Sequence, residues 1–159
     1  MARALRAVWH LCAVAGLAAI AVAAWFATQG ISARPEPSAL EVSVARAARR
    51  FAIPASERSR ANPIPVTEET IRAGLEHWAD HCATCHANNG SGDTIGRALY
   101  PRAPDMRLPT TQDLTDGELF YIIENGVKLT GMPAWGTGSA EGEQESWHLV
   151  NFIRSLWPK

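Results

Sequence analysis

The sequence predicts an all-α protein in three parts: an apolar N-terminal helix, a linker and a helical domain. Three observations carry that prediction. Residues from about Ala7 to Ala27 include no Asp, Glu, Lys or Arg, and roughly 20 apolar residues are what one membrane crossing needs. The segments 67–81 and 143–156 repeat their apolar residues at the three- and four-residue spacing of a helix face. The stretch around Cys82 and Cys85 has no run of alternating β-branched residues that would read as strand. The implied boundaries are 1–28 for a cytoplasmic stub and membrane span, 29–65 for a linker and 66–159 for the domain.

Arg3 and Arg6 precede the apolar run, whose only strongly polar residue is His10. A secretory signal has a shorter apolar centre, about 7–15 residues, followed by a small-residue cleavage site. Ile31-Ser32-Ala33 lies several residues beyond the run, so a retained anchor is favoured over a cleaved signal. Trp25 and Phe26 would then sit near the outer interface as part of an aromatic belt. Arginines flank the run on both sides, so the positive-inside rule says little about orientation. Cys12, preceded by Val8-Trp9-His10-Leu11, lacks a lipid-acceptor setting and reads as a small apolar residue of the helix.

The linker carries Pro35, Pro37, Pro54, Pro63 and Pro65. Residues 39–51 read as a short helix with Arg46, Arg49 and Arg50 gathered near its end. The default expectation is a solvated spacer; anionic lipid and the acidic domain are the alternative resting places. Residues 28–65 are formally +3, with 6 Arg against 3 Glu, and residues 66–159 are formally −6, with 7 Lys/Arg against 13 Asp/Glu. An acidic domain on a basic tether is a poor nucleic-acid binder, and its field favours a basic face on a protein partner.

The domain is organised around Cys82-Ala83-Thr84-Cys85-His86. Two cysteines three residues apart face the same way on a helical turn. Their thiols can form thioethers to the two vinyl groups of one porphyrin, and the histidine that follows is then brought under the iron as an axial ligand. A thioredoxin-like dithiol wants a βαβ setting, which is missing here. A structural zinc site wants four ligands from two separated pairs; His77 and His81 lie close, but the third cysteine, Cys12, is in the apolar segment.

Before the motif, Thr67 caps a helix running to about His81, with Glu68 and Glu69 in its first turn. Thr67 and Thr70 do not form the usual capping box. Gly74, Trp78 and Cys82 share a face. A glycine inside a helix costs up to about 1 kcal/mol relative to alanine, which implies a close crossing there. The partner is a C-terminal helix, Glu143 to about Leu156, with Trp147, Val150, Ile153 and Trp157 on one stripe and Leu149, Phe152 and Leu156 beside it. Phe152 would fill the notch at Gly74. After the motif, residues 87–92 form a polar turn tolerant of positive φ. A proline carbonyl in the loop 100–106, Pro104 in preference to Pro101, accepts a hydrogen bond from His86 Nδ1. Thr115 and Glu118 form a capping box for a helix with apolar Leu119, Phe120, Ile122 and Ile123, ended by Gly126 in the αL conformation.

The second iron ligand is expected at Met132, in Lys128-Leu129-Thr130-Gly131-Met132-Pro133-Ala134-Trp135-Gly136. Pro133 stiffens that loop and Trp135 anchors it, and a rigid loop is what holding a weakly bound thioether requires. Met106 is the runner-up; His77, His81 and His148 follow. Trp135 and Tyr100 are candidates for a hydrogen bond to a haem propionate.

Cys82-x-x-Cys85-His86, a proline loop, Gly131-Met132-Pro133-Ala134-Trp135 and a C-terminal amphipathic helix together resemble the class I monohaem cytochromes c, most nearly the bacterial membrane-anchored members. The resemblance covers about residues 67–157. It implies an all-α cytochrome c fold around one covalent haem c, with one haem edge near the surface. It also implies a single-pass protein of the bacterial cytoplasmic membrane with its haem domain on the periplasmic side, or a soluble periplasmic protein if the N-terminus is cleaved. The Arg-containing linker is no part of the family pattern. The expected function is single-electron transfer between redox protein partners at the membrane. An alternative is an electron-transfer subunit of a larger dehydrogenase or oxidase complex, and a haem sensor or peroxidase-like enzyme is a third reading.

Overall fold

The computed structural model describes residues 2–30 and 32–157. Ile31, the first residue of the candidate cleavage site, lies outside them. The chain divides into two compact units, Met1–Pro35 and Glu36–Lys159.

The first unit is one helix, α1 (Ala2–Gln29). Its stretch Ala2–Thr28 is long and apolar enough to cross a membrane. The Trp25 and Phe26 rings meet edge to face near its end, 4.9 Å apart.

The second unit has helices and no strand among its described residues, with α2 (Ala39–Ala52), α3 (Ala55–Arg58), α4 (Glu68–His77), α5 (Ala83–His86), α6 (Pro109–Gln112), α7 (Asp116–Asn125) and α8 (Ala140–Ser155). A π-helical turn, Trp78–Cys82, joins α4 to α5. The sequence reading has a single α-helix continuing to about His81. Instead the helix widens after His77, and such π-turns recur at functional sites.

The crossing of α4 on α8 is as close as Gly74 implied. A methyl group at Gly74 would run into the His148 carbonyl oxygen and sit 2.9 Å from Phe152 Cβ. The obstacle is therefore backbone as well as the expected phenylalanine. Trp147, Leu149, Val150, Phe152 and Ile153 of α8 are buried together with Trp78 and with Leu119, Phe120 and Ile123 of α7. Trp157, read as part of the buried stripe, is 43% exposed. The helix ends at Ser155, so Trp157 leaves the helical register that would have carried it inward.

The capping expectations hold at Thr115, whose hydroxyl accepts from Glu118 N–H while the Glu118 carboxylate accepts from Thr115 N–H. At Thr67 the structure corrects the reading: Thr70 Oγ1 accepts from Thr67 N–H at 3.0 Å and Thr67 Oγ1 accepts from Thr70 N–H at 3.1 Å. A threonine hydroxyl thus does the work of the usual Glu or Gln carboxyl or amide.

Residues 36–65, read as part of a spacer, pack into the second unit. Ile53 is 3% exposed. Asn62 Nδ2 donates to Asn151 Oδ1 at 2.8 Å, and buried Asn151 donates in turn to the Pro65 carbonyl and Thr70 Oγ1. The Arg60 guanidinium lies 4.4 Å from the centre of the Phe120 ring and binds Glu143 at 2.7 Å. These are polar and cation–π contacts over long sequence separations, which hydrophobic periodicity does not reveal.

Candidate haem-binding site

Trp78, Cys82 and His86 form one wall of an apolar cleft, and α7, α8 and the 128–136 loop supply the others through Ile122, Ile153, Met132 and Trp135. His86 is the only lining residue with a nitrogen that ligates metals; the rest are hydrocarbon, indole or sulfur.

The wall carrying His86 is held from several sides. Trp78 is 1% exposed, its indole N–H donates to the Ala87 carbonyl at 2.9 Å, and its ring lies 5.6 Å from the imidazole. That bond fixes the residue after His86, where the chain turns with φ +62 at Ala87. Gly92 N–H donates to the His86 carbonyl, and Thr94 Oγ1 donates to the Cys85 carbonyl. The proline loop is fastened to the same turn by Met106 N–H, which donates to the Gly90 carbonyl at 2.7 Å.

His86 is 7% exposed. Burial lowers the basicity of its ring, while the Pro104 carbonyl raises it. Nδ1 is buried yet makes no hydrogen bond of good geometry, so Pro104 acts on the ring from near hydrogen-bond range without closing the bond. Burial, with Cys85 adding to it, pushes the Cys82 thiol up to about 11. Reactive dithiols have depressed pKa values because the thiolate is the nucleophile. A thiol held neutral argues against the redox-dithiol reading. Among the described residues no group of three or more His, Cys, Asp or Glu is placed to hold a metal ion, so the zinc reading has no geometry behind it.

Met132 is carried by a loop pinned to α7. Val127 N–H donates to the Met132 carbonyl, Trp135 N–H to the Ile123 carbonyl and Gly136 N–H to the Glu124 carbonyl. Thr130 Oγ1 accepts from Met132 N–H at 3.0 Å. Gly126, expected in αL, has φ +65 and ψ −168. It keeps the required positive φ, and a methyl group there would lie only 2.6–2.7 Å from the backbone of Met132, Pro133 and Ala134. Met106 also lines the cleft, from the segment fastened to the His86 turn.

Of the remaining candidates, Trp135 lines the cleft and its ring lies 5.0 Å from His81. Tyr100 is not among the lining residues, and its hydroxyl donates to Glu41 at 3.0 Å. His77 and His148 face a separate surface groove. Sequence reasoning missed Thr94, Gly126 and Ala87 as supports of the site, because each acts through its backbone or on a neighbour's backbone.

A family model described as cytochrome c oxidase, cbb3-type, subunit III matches residues 69–153. The fold is similar to a chain of the reducing HAO-like protein complex of Kuenenia stuttgartiensis, with a TM-score of 0.54 and 22% identity over 60% of this chain. The match covers 47% of that chain, so the present protein spans about half its length. Among curated proteins none matches.

Proposed function

The chain belongs to the family described as cytochrome c oxidase, cbb3-type, subunit III, with a monohaem class I c-type domain and covalent haem c, and from that premise we propose that it carries single electrons between respiratory partners at a membrane. The observation that carries the proposal is the apolar cleft with one imidazole on one wall and a loop-borne thioether on another. Haem bound there supplies reversible one-electron chemistry at iron. Cys82 and Cys85 would hold it as thioethers. His86 would be the proximal ligand, with Trp78 behind it and the Pro104 carbonyl near Nδ1. Met132 would be the distal ligand, and Trp135 would close the edge of the cleft. A thioether in place of a second imidazole raises the reduction potential. With His86 and Met132 both on the iron, no iron position would be left for a substrate.

Met132 is preferred to Met106 because their supports differ. Met106 is tied to the Gly90 carbonyl, four residues after His86, and so belongs to the His86 side. The Met132 loop is tied to α7 through Trp135 and Gly136, whose N–H groups donate to the Ile123 and Glu124 carbonyls. The test is the oxidised spectrum of the haem-loaded full chain. Met132→Leu abolishes the methionine–iron band near the red edge and opens the reduced protein to carbon monoxide, whereas Met106→Leu leaves both unchanged. The reverse pattern transfers the ligand role to Met106. Rapid carbon monoxide binding by the unmodified protein refutes the carrier reading altogether.

A second reading, a subunit of a larger oxidase, is favoured by the description of the matched family. Purification in mild detergent separates the two: a stoichiometric complex supports the subunit, and a lone chain supports the carrier. We place α1 as a retained anchor with the haem domain on the periplasmic side, residues 29–65 joining the two parts. Mass spectrometry of the mature protein tests it, through the presence of residues 1–33.

A further inference from the structure

Helix α2 has two faces. Val42, Arg49 and Ile53 are its least exposed positions, and they recur at seven- and four-residue intervals along one side. Ile53, just past the helix end, is buried, and Arg49 interacts with the buried carboxylate of Glu118. Tyr100 and Ser38 hold Glu41. That side is the docked side.

The opposite side is apolar and bare. Leu40, Val44 and Phe51 fall at four- and seven-residue intervals, with Ala47 between them, and they are 73%, 59% and 91% exposed. A phenylalanine so open, in line with two aliphatic residues on a helix that is already docked by its other side, has no packing role inside the unit. Exposed Arg46 and Arg50 lie between the two faces. An apolar stripe with arginines on its polar side is the pattern of a helix lying in a membrane interface, where guanidinium groups reach lipid phosphates.

The chain itself places such an interface within reach. Only residues 30–38 separate Gln29 of α1 from Ala39 of α2, and nine residues extend to on the order of 30 Å at most. We propose that α2 is a membrane-interface helix, its Leu40, Val44 and Phe51 stripe seated in the headgroup region of the anionic bilayer that α1 crosses. The proposal rests on α1 being retained as an anchor. Its consequence is that the haem domain sits against the membrane through α2, instead of ranging at the end of a free spacer.

The test uses the haem-loaded full chain in vesicles of phosphatidylglycerol and phosphatidylcholine. Cys12→Ser leaves no free thiol once Cys82 and Cys85 are bonded to haem, and a nitroxide is attached at Phe51→Cys or, as a water-facing control, at Glu141→Cys. Paramagnetic relaxation by oxygen and by a water-soluble nickel chelate then reports depth. The expected result is an oxygen-to-chelate accessibility ratio severalfold higher at position 51 than at 141. The ratio at 51 falls toward the control when Arg46→Gln and Arg50→Gln are combined, or when phosphatidylglycerol is left out. Equal ratios at 51 and 141, with mass spectrometry showing residues 2–28 present, overturn the interface proposal and leave the anchor standing. Absence of residues 2–28 overturns the anchor, and the proposal with it. Protection of position 51 that appears only on adding a redox protein overturns it in favour of protein docking.

Discussion

Trp78→Phe isolates the contact that steadies the His86 turn. The indole is 1% exposed and its N–H donates to the Ala87 carbonyl at 2.9 Å. Phenylalanine keeps an aromatic ring in the core but has no donor. Losing the bond leaves a partly buried carbonyl short of a partner, at a cost of about 1 kcal/mol. The smaller ring gives up about two methylene equivalents of buried apolar volume, or about 1.5 kcal/mol at ~0.8 kcal/mol each, with a further contribution from any cavity left behind. The sum is about 2.5 kcal/mol. Guanidinium unfolding of the haem-loaded protein, followed by helical circular dichroism and the Soret band, measures it as a lower midpoint with an unchanged slope. Phe152→Leu is the reference: Phe152 packs on the same indole, ring centres 5.3 Å apart, and makes no such bond. It is expected to cost about 1 kcal/mol. If Trp78→Phe costs no more than the ~1.5 kcal/mol of lost packing, the Trp78–Ala87 bond is not what holds the turn.

Gly74→Ala gains about 1 kcal/mol of helix propensity, but the added methyl meets the His148 carbonyl and Phe152 Cβ, and overpacking against backbone sits at the upper end of about 1–3 kcal/mol. The net loss, about 2 kcal/mol, is expected as a melting temperature lower by about 5–10 °C; an unchanged or higher value contradicts the close crossing. His77 is held below its ordinary 6.5 by burial, with Glu145 opposing and His81 adding to the shift. Between the folded value and 6.5 the unfolded chain therefore binds the proton first, and stability falls as pH drops through that window. Denaturation midpoints at pH 7.5 and 5.5 in the parent and in His77→Gln check it, the variant showing the shallower fall.

The residues proposed to bind haem were the most legible in the sequence, and those that hold them in place were the least. Cys82, Cys85, His86 and Met132 stand out because few residue types can bond to a porphyrin or its iron. The α4–α8 crossing was legible because a mid-helix glycine demands a reason. The π-turn at 78–82 was not, since it preserves helical spacing closely enough to leave the apolar pattern intact. Gly126 was read as a helix terminator, and its second task, seating the Met132 backbone, depends on a tertiary approach that no local pattern encodes. The same holds for Asn62 and Asn151. A polar pair 89 residues apart has no signature until the fold closes, and it was this pair, with Arg60, that drew residues 36–65 into the domain.

That change alters the electrostatic argument. Read as separate pieces, a basic tether and an acidic domain attract a basic partner to one and an anionic surface to the other with equal freedom. In the folded unit part of the basic charge is spent internally. Arg60 is bound to Glu143, and Arg49 lies near Glu118. What remains outward is divided by location. Arg46 and Arg50 are exposed on α2, whereas Glu76, Asp80, Glu141 and Glu145 border the groove between α4 and α8. On the proposed interface helix, an anionic membrane would attract Arg46 and Arg50 and repel the acidic groove. The arginines read as a property of the tether are thus divided between acid contacts inside the domain and exposed positions on α2.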